Sequence, residues 1–406
     1  MSRTVFQHGQ VFDGTGAPLA QRDVAIEGSQ IVAVAESIAP QPGDEVVDAT
    51  GLTILPGLID CHTHVGLVEI DYLRGVNMPF SLQFFHTEKV LEKTLSIGIT
   101  SCRDASGADL GVQRAVEEGL IDGPAVYLCL IALSQTGGHG DHWLPSGNAP
   151  EILQPHPGRP SGVVDGVDAC RKRVRECIRM GANQIKINTS GGVFSPRDNP
   201  TVQHFSDAEI RAMVDEAERL GAYVMAHCHG APGIKAAIRN GVRSVEHGTE
   251  LDDEAIDLLL EHGAWLVPTL GVTQYILDRI EAGDAIPPEI AVKARANYDL
   301  RADTFQKAVA AGVKIAMGSD AAADMHGKNL IEFPLMHKMG MTPQQVLVSA
   351  TSSAAQLMRI DHKVGTVEAG KQADLIVVTG DPFDMSAYPG NLRSVYRLGR
   401  RARHYA

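Results

Sequence analysis

Apolar and polar positions along this chain follow two different periods, and the change of period divides it. From residue 4 to 55, short apolar runs broken by Gly, Pro and Asp predict strands at 5–8, 23–26, 31–34, 45–48 and 53–55. That pattern resumes only at 374–378 and 395–398, so both termini are expected to build one small β-domain. Between them, apolar runs at 58–64, 99–104, 126–132, 184–188, 223–227, 244–247, 265–268 and 314–319 alternate with longer amphipathic stretches, clearest at 166–180, 207–220, 253–262 and 291–311. Eight strand–helix units predict an α/β chain whose residues 56–361 form a (β/α)8 TIM-like barrel, with 1–55 and 362–406 as a β-sandwich domain. A doubly wound open sheet is the alternative, but no Gly-rich phosphate loop follows the first strand of the central region.

Length agrees with that division, since 406 residues suit a barrel of roughly 250–300 residues plus an accessory domain. With 44% hydrophobic and 21% charged residues and mean hydropathy near zero, the chain can fill a large core. A net charge of -13 repels polyanions, and the Lys and Arg residues between 393 and 403 do not offset it, so nucleic acid is not an expected partner. The six cysteines form no CxxC pair and fall partly inside predicted strands, which reads as buried reduced thiols in a reducing compartment. No apolar run approaches the roughly 20 residues that span a bilayer, and residues 1–5 enter a strand pattern without a leader-like apolar segment. A soluble cytoplasmic protein is expected, although a chain whose leader had been removed would read the same way.

Chemistry concentrates at predicted strand ends. His62 and His64 close the first barrel strand, and their i, i+2 spacing puts both imidazoles on one face, where they can grip a divalent ion. Later strand ends carry Lys186 between Ile185 and Ile187, the run Ala226-His227-Cys228-His229, the run Val245-Glu246-His247-Gly248, and Gly318-Ser319-Asp320-Ala321. Each is ordinary when taken alone: a solvent-reaching lysine, a hydrogen-bonded core histidine, an aspartate capping the next helix. Together with His62 and His64 they fall at one mouth of the expected barrel.

With these motifs, the run Leu55-Pro56-Gly57-Leu58-Ile59-Asp60-Cys61-His62-Thr63-His64 and the tail Gly365-Thr366-Val367-Glu368-Ala369-Gly370-Lys371-Gln372-Ala373-Asp374-Leu375, the chain resembles the amidohydrolase superfamily of metal-dependent hydrolases. The resemblance implies two divalent ions, zinc by first choice, held by His62, His64, a carboxylated Lys186, His227, His247 and Asp320. It also implies that a metal-bridging hydroxide attacks the scissile carbonyl while Asp320 moves the proton to the leaving nitrogen. An ammonium cannot ligate a cation, whereas the CO2-derived carbamate of Lys186 is a bidentate anion. His62 and His64 are expected to hold the more buried ion.

Two further stretches, Gln135-Thr136-Gly137-Gly138-His139-Gly140-Asp141 and Lys186-Ile187-Asn188-Thr189-Ser190-Gly191-Gly192-Val193, are similar to Xaa-Pro-type dipeptidases and ochratoxin-degrading amidohydrolases of that superfamily. Both imply N-acyl amino acid or dipeptide substrates with a free carboxylate. They imply His139 and His229 as the substrate contacts, one at the carbonyl oxygen and one at the carboxylate. His142, His204 and His326 read as plain loop residues, and Ala231-Pro232 stand where a carbonyl-polarising tyrosine could serve. Loops 133–161 and 189–205 are long enough to cover the mouth and shape the leaving-group pocket. Lactonase or cyclic-amide hydrolysis is the alternative activity. A mononuclear deaminase, which does without Lys186, and a non-catalytic assembly protein, which would have lost ligands, agree less well. Relatives of this type imply a homo-oligomer acting on a small molecule.

Overall fold

Apolar runs that are covered on both faces make the centre of the molecule. The structure, a computed structural model, describes residues 3–405 except 194–197, 285 and 287. Its middle region carries parallel strands β1 (Leu58–His64), β2 (Ile99–Asp104), β3 (Ala125–Tyr127), β4 (Ala132–Leu133), β5 (Ile185–Asn188), β6 (Val224–Cys228), β7 (Ser244–His247), β8 (Trp265–Val267), β9 (Lys314–Ile315) and β10 (Ala321–Ala322). They form two sheets, ordered β3-β2-β1-β10 and β4-β5-β6-β7-β8-β9. All four residues of β5 and all five of β6 are buried, which is why they read as near-continuous apolar runs rather than an alternation.

Helices cover the strands between successive ladder partners: α1 (Leu82–Ser96), α2 (Val167–Arg179), α3 (Asp207–Arg219), α4 (Ala231–Arg239), α5 (Asp253–His262), α6 (Leu270–Glu281) and α7 (Pro288–Ala311). Local signals set their ends. Ser206 and Glu209 form a reciprocal capping box at the start of α3, and Gly263, at φ 61°, takes the left-handed position that closes α5. The third predicted strand, 126–132, is broken in two, and the eighth, 314–319, keeps its ladder only over Lys314–Ile315. Leu130, at φ 72°, separates β3 from β4, and Asp320, at φ 57°, separates β9 from β10, since a left-handed residue cannot continue an extended ladder. The run from 314 to 322 leaves one sheet and joins the other, with Cys61 N donating to Met317 O at 2.9 Å and Asp320 N to His62 O at 2.7 Å.

The terminal segments interleave, as their shared strand pattern predicts. Leu375–Thr379 pairs antiparallel with Leu52–Pro56 inside a six-stranded sheet that also holds Gln10–Val11, Ala20–Gln21, Leu392–Arg397 and Arg400–His404. A four-stranded sheet runs Gln30–Ala35, Asp23–Glu27, Thr4–Gln7, Glu45–Asp48. Phe6, Val24 and Ile31 of the smaller sheet share one apolar cluster with Ile54, Leu375, Val377 and Tyr396 of the larger, and the Phe6 and Tyr396 rings meet edge to face at 5.2 Å. All six cysteines are buried and unpaired. Among the described residues no helix is long and apolar enough to cross a membrane.

Candidate metal centre

Because parallel strands all end at one edge, β1, β5, β6, β7 and the turn into β10 deliver their last side chains to a common point. His62 Nε2 and His64 Nε2 lie 3.4 and 3.1 Å from the same oxygen, Asp320 Oδ1. Lys186 Nζ is 3.3 Å from His62 Nε2, and His227 Nδ1 is 2.8 Å from His247 Nε2. The rings of His62 and His247 stand 5.1 Å apart, which joins the two halves. All six residues that the sequence singles out as ligands therefore meet. The backbone turns sharply to bring them there: His247, Thr269 and Asp320, at the ends of three neighbouring runs, are non-glycine residues at φ 70°, 50° and 57°, the kind of local strain that collects at functional sites. Gly318 allows the close approach, since a Cβ there would sit 2.9 Å from the Cβ of His62.

Each ligand-type histidine is held from behind. His62 Nδ1 donates to Glu246 Oε2 at 2.7 Å, His64 Nδ1 to Ser106 O at 3.1 Å, and His227 Nε2 to Gly191 O at 3.1 Å. His247 Nδ1 is 2.7 Å from Thr269 Oγ1. Carboxylate and carbonyl partners can only accept, so the inward nitrogens of His62, His64 and His227 present lone pairs. The inward nitrogens of His62 and His64 and the Asp320 oxygen converge within 3.4 Å. A cation is what reconciles such a cluster of acceptors. His62, His247 and Asp320 form one set of ligand atoms within 4.8 Å of one another, and His227, His229 and His247 form another.

The electrostatics point the same way. Burial, helped by the Lys186 charge, pushes the His62 pKa down to about 4, and burial holds His227 and His247 well below the ordinary histidine value, so all three stay neutral. Burial also lowers the Lys186 pKa, and among the described residues no carboxylate lies within 4 Å of its Nζ, which is 3.3 Å from an acceptor nitrogen. Below the site, Glu246 is held at about 2 because Arg103 and His62 overcome its burial.

His62 is 1% exposed and His227 and His247 are each 6% exposed, while the side chains of His64 and Asp320 reach 18% and 17%. The His139 ring lies parallel to His227 at 4.3 Å, and the His229 ring parallel to His247 at 4.8 Å. Those are the two expected substrate contacts, and both sit at the mouth. His139 Nδ1 is 3.0 Å from Asp198 Oδ2, while Gly192 leaves room for the ring, since a Cβ there would meet it at 2.1 Å. His229 Nδ1 is 2.7 Å from Thr249 Oγ1, and its N–H donates to Ser190 Oγ.

The loop histidines differ from their plain reading. His204 and His326 are buried, and His326 braces the end of β1 by joining Thr94 Oγ1 at 2.9 Å to the carbonyl of His64 at 3.4 Å. Residues 194–197 of the 189–205 loop lie outside the described residues. Sequence reasoning missed the supporting groups: Arg103, Glu246, Ser244, Thr249, Thr269, Asp198 and Asp60. Asp60 accepts from His62 N, from Ser319 N and Oγ, and from Asn329 Nδ2, which ties the turn before Asp320 to β1. The available signal was charge inside apolar runs, as in Thr100-Ser101-Cys102-Arg103-Asp104 and Val245-Glu246.

The family described as "Amidohydrolase family" matches residues 53–402 of this chain. Ochratoxinase of Aspergillus niger is 34% identical over 399 residues, covering 94% of this chain and 82% of that protein. A solved prolidase complexed with N-methylphosphonate-L-proline superposes with a TM-score of 0.92 at 36% identity over the whole of both chains. A solved Xaa-Pro dipeptidase with methionine bound in its active site gives 0.88 at 32% identity, covering 98% of this chain and 99% of that one. By the span of the family match and these identities, the chain belongs to the amidohydrolase family.

Proposed function

We propose that this protein is a binuclear metal-dependent amide hydrolase acting on N-acyl amino acids or dipeptides with a free carboxylate, N-acyl-phenylalanines of the ochratoxin type included. The observation that carries the reading is the convergence of His62, His64 and Asp320 as bare acceptors around one point, beside His227, His247 and a buried Lys186. In this reading those six residues hold two zinc-like ions. When bound, the ions polarise a carbonyl and make water acidic enough to be a nucleophile near neutral pH. The Lys186 amine, whose pKa burial lowers, adds CO2 in its uncharged form and releases a proton to become the carbamate ligand. Asp320 takes a proton at its carboxylate and gives it to the departing nitrogen, which an amide needs in order to leave. His139, fixed by Asp198, and His229, fixed by Thr249, contact the substrate.

Architecture belongs to the same reading. The two parallel sheets are taken as one (β/α)8 barrel over 56–361, joined through the bonds of Cys61 and His62 to the 314–322 run, and the terminal sheets over 1–55 and 362–406 as a β-sandwich. What relatives hold supports the substrate class: the prolidase carries a proline phosphonate and the dipeptidase methionine, and both amino acids bear a carboxylate. The test is a hydrolysis screen of the zinc-loaded protein against N-acyl amino acids and Xaa-Pro, Xaa-Phe and Xaa-Leu dipeptides, with lactones and cyclic amides as rivals. Turnover of carboxylate-bearing amides is expected. Cleavage of lactones alone would overturn the substrate assignment. Metal analysis should give about two ions per chain, and sedimentation should show a homo-oligomer.

A further inference from the structure

Helix α7 lays one polar face along the mouth. Lys293, Asn297, Arg301 and Thr304 follow each other at spacings of four, four and three, which places them on one side of the helix. At one end Lys293 Nζ donates to Gly192 O at 3.1 Å and Asp198 O at 2.9 Å, on the segment that fixes His139. At the other end Thr304 Oγ1 donates to the carbonyl of Thr249, whose hydroxyl fixes His229. Asn297 and Arg301 lie between these anchors.

Arg301 is only 3% exposed, yet among the described residues no carboxylate lies within 4 Å of it. Its Nη2 donates to the carbonyls of Pro268 and Thr269 and to Thr269 Oγ1, the hydroxyl 2.7 Å from His247 Nδ1, and its Nη1 donates to Thr273 Oγ1. Its Nε is buried and makes no hydrogen bond, and the same holds for Asn297 Nδ2 one turn away. Glu332, a nearby acid, spends its two oxygens on Leu270 N and Gly271 N. Burial without a carboxylate does not by itself leave a donor idle. Arg159 too has no carboxylate within 4 Å among the described residues, but all three of its nitrogens are spent on the carbonyls of Gln154 and Gly107. At Arg301 a charge is out of water with a donor left over, a costly state unless an anion arrives.

We propose that Arg301 and Asn297 on α7 receive the free carboxylate of the substrate, the guanidinium through its unspent Nε–H and the amide through Nδ2. This rests on the amide-hydrolase reading above and assigns its carboxylate contact to these two residues rather than to a histidine. Three observations support it: the missing counter-ion, two unspent donors one turn apart, and anchors on either side that reach the His139 and His229 supports. The planar fork of arginine suits a carboxylate, and a buried site built for one rejects an analogue without it by large factors.

The experiment compares the acid that the screen turns over fastest with its C-terminal primary amide, using zinc-loaded full-length protein, and reads the acid-to-amide ratio of kcat/KM. The wild type should prefer the acid by at least about 100-fold. Arg301→Gln should collapse that preference by about 100-fold, chiefly through KM for the acid, Asn297→Ala by about tenfold, and Arg301→Lys, which keeps the charge, by less than Arg301→Gln. Zinc content and thermal melting serve as folding controls, and Asn297→Ala keeps the test open should Arg301→Gln not fold. If acid and amide rates fall together in the variants, Arg301 only braces the Thr269 turn and the inference is overturned. If the wild type itself cleaves acid and amide equally, or no carboxylate-bearing amide at all, the underlying reading fails and this inference with it.

Discussion

Two buried arginines flank the site, and they differ in what faces them. Arg103 lies beneath it with no exposed surface. Its Nη2 meets both oxygens of Glu246 at 2.9 and 3.1 Å, its Nε the carbonyl of Cys61 and its Nη1 the hydroxyl of Ser244. Arg301 lies at the mouth, almost as deeply buried, with carbonyl and hydroxyl partners and, among the described residues, no carboxylate within 4 Å and no hydrogen bond to its Nε. The lower arginine has its counter-ion within the chain, and through Glu246 it sets the proton of His62. The upper one is left to take an anion from outside. The comparison separates a floor, where every partner is supplied by the fold, from a rim where substrate completes the arrangement.

Breaking the floor at its ligands should have the largest effect. Lys186→Ala and Asp320→Asn should each abolish amide hydrolysis with an unchanged circular dichroism spectrum and with fewer than two ions by elemental analysis. Near-normal turnover of Lys186→Ala without added short carboxylic acids would refute the carbamate. Next in size, Glu246→Gln leaves Arg103 buried without its anion, which should cost about 3–5 kcal/mol in denaturant unfolding. The same change replaces the charged acceptor of the His62 Nδ1 proton with a neutral amide, so zinc affinity in a chelator competition should fall about 10–100-fold. A double change of Arg103 and Glu246 to apolar residues should lose less stability than Glu246→Gln alone, and a larger loss would sink the buried-pair account.

At the rim the expected effects move from stability to turnover. Asp198→Asn, which weakens the hold on His139, should lower kcat about 10–100-fold while shifting the melting temperature little. A melting loss as large as that of Glu246→Gln would make Asp198 part of the floor. Smallest of all, Arg301→Gln should destabilise by only about 1 kcal/mol, since no ion pair is broken, measured as urea unfolding beside Glu246→Gln. Equal losses for the two would erase the distinction between the arginines.

What could be read along the chain was the order of elements and the reactive residue types. Period and burial are linked: runs covered on both faces must be apolar throughout, so β1, β2 and β7 are predicted with their observed bounds, and α5 is predicted to the residue. His62, His64, Lys186, His227, His247 and Asp320 stand out because a polar or charged side chain at the end of an apolar run is costly to bury unless a partner takes it up. Strand breaks at Leu130 and Asp320 left no such trace, because a left-handed turn at a non-glycine residue is imposed by tertiary contacts rather than by local preference. The supporting contacts were equally hidden. Arg103 meets Glu246 across 143 positions and His62 meets Glu246 across 184, separations that no local pattern encodes. Arg301 falls inside the amphipathic stretch 291–311 without any mark of its own, and only the packing of α7 against Thr269 and Thr249 removes it from water without giving it an anion among the described residues. Sequence alone thus determined which groups could do chemistry and on which strands they ride. The tertiary structure decided which nitrogen of each histidine faces inward, which buried charges are neutralised within the fold, and which one waits for substrate, because those depend on partners brought together only when the chain closes on itself.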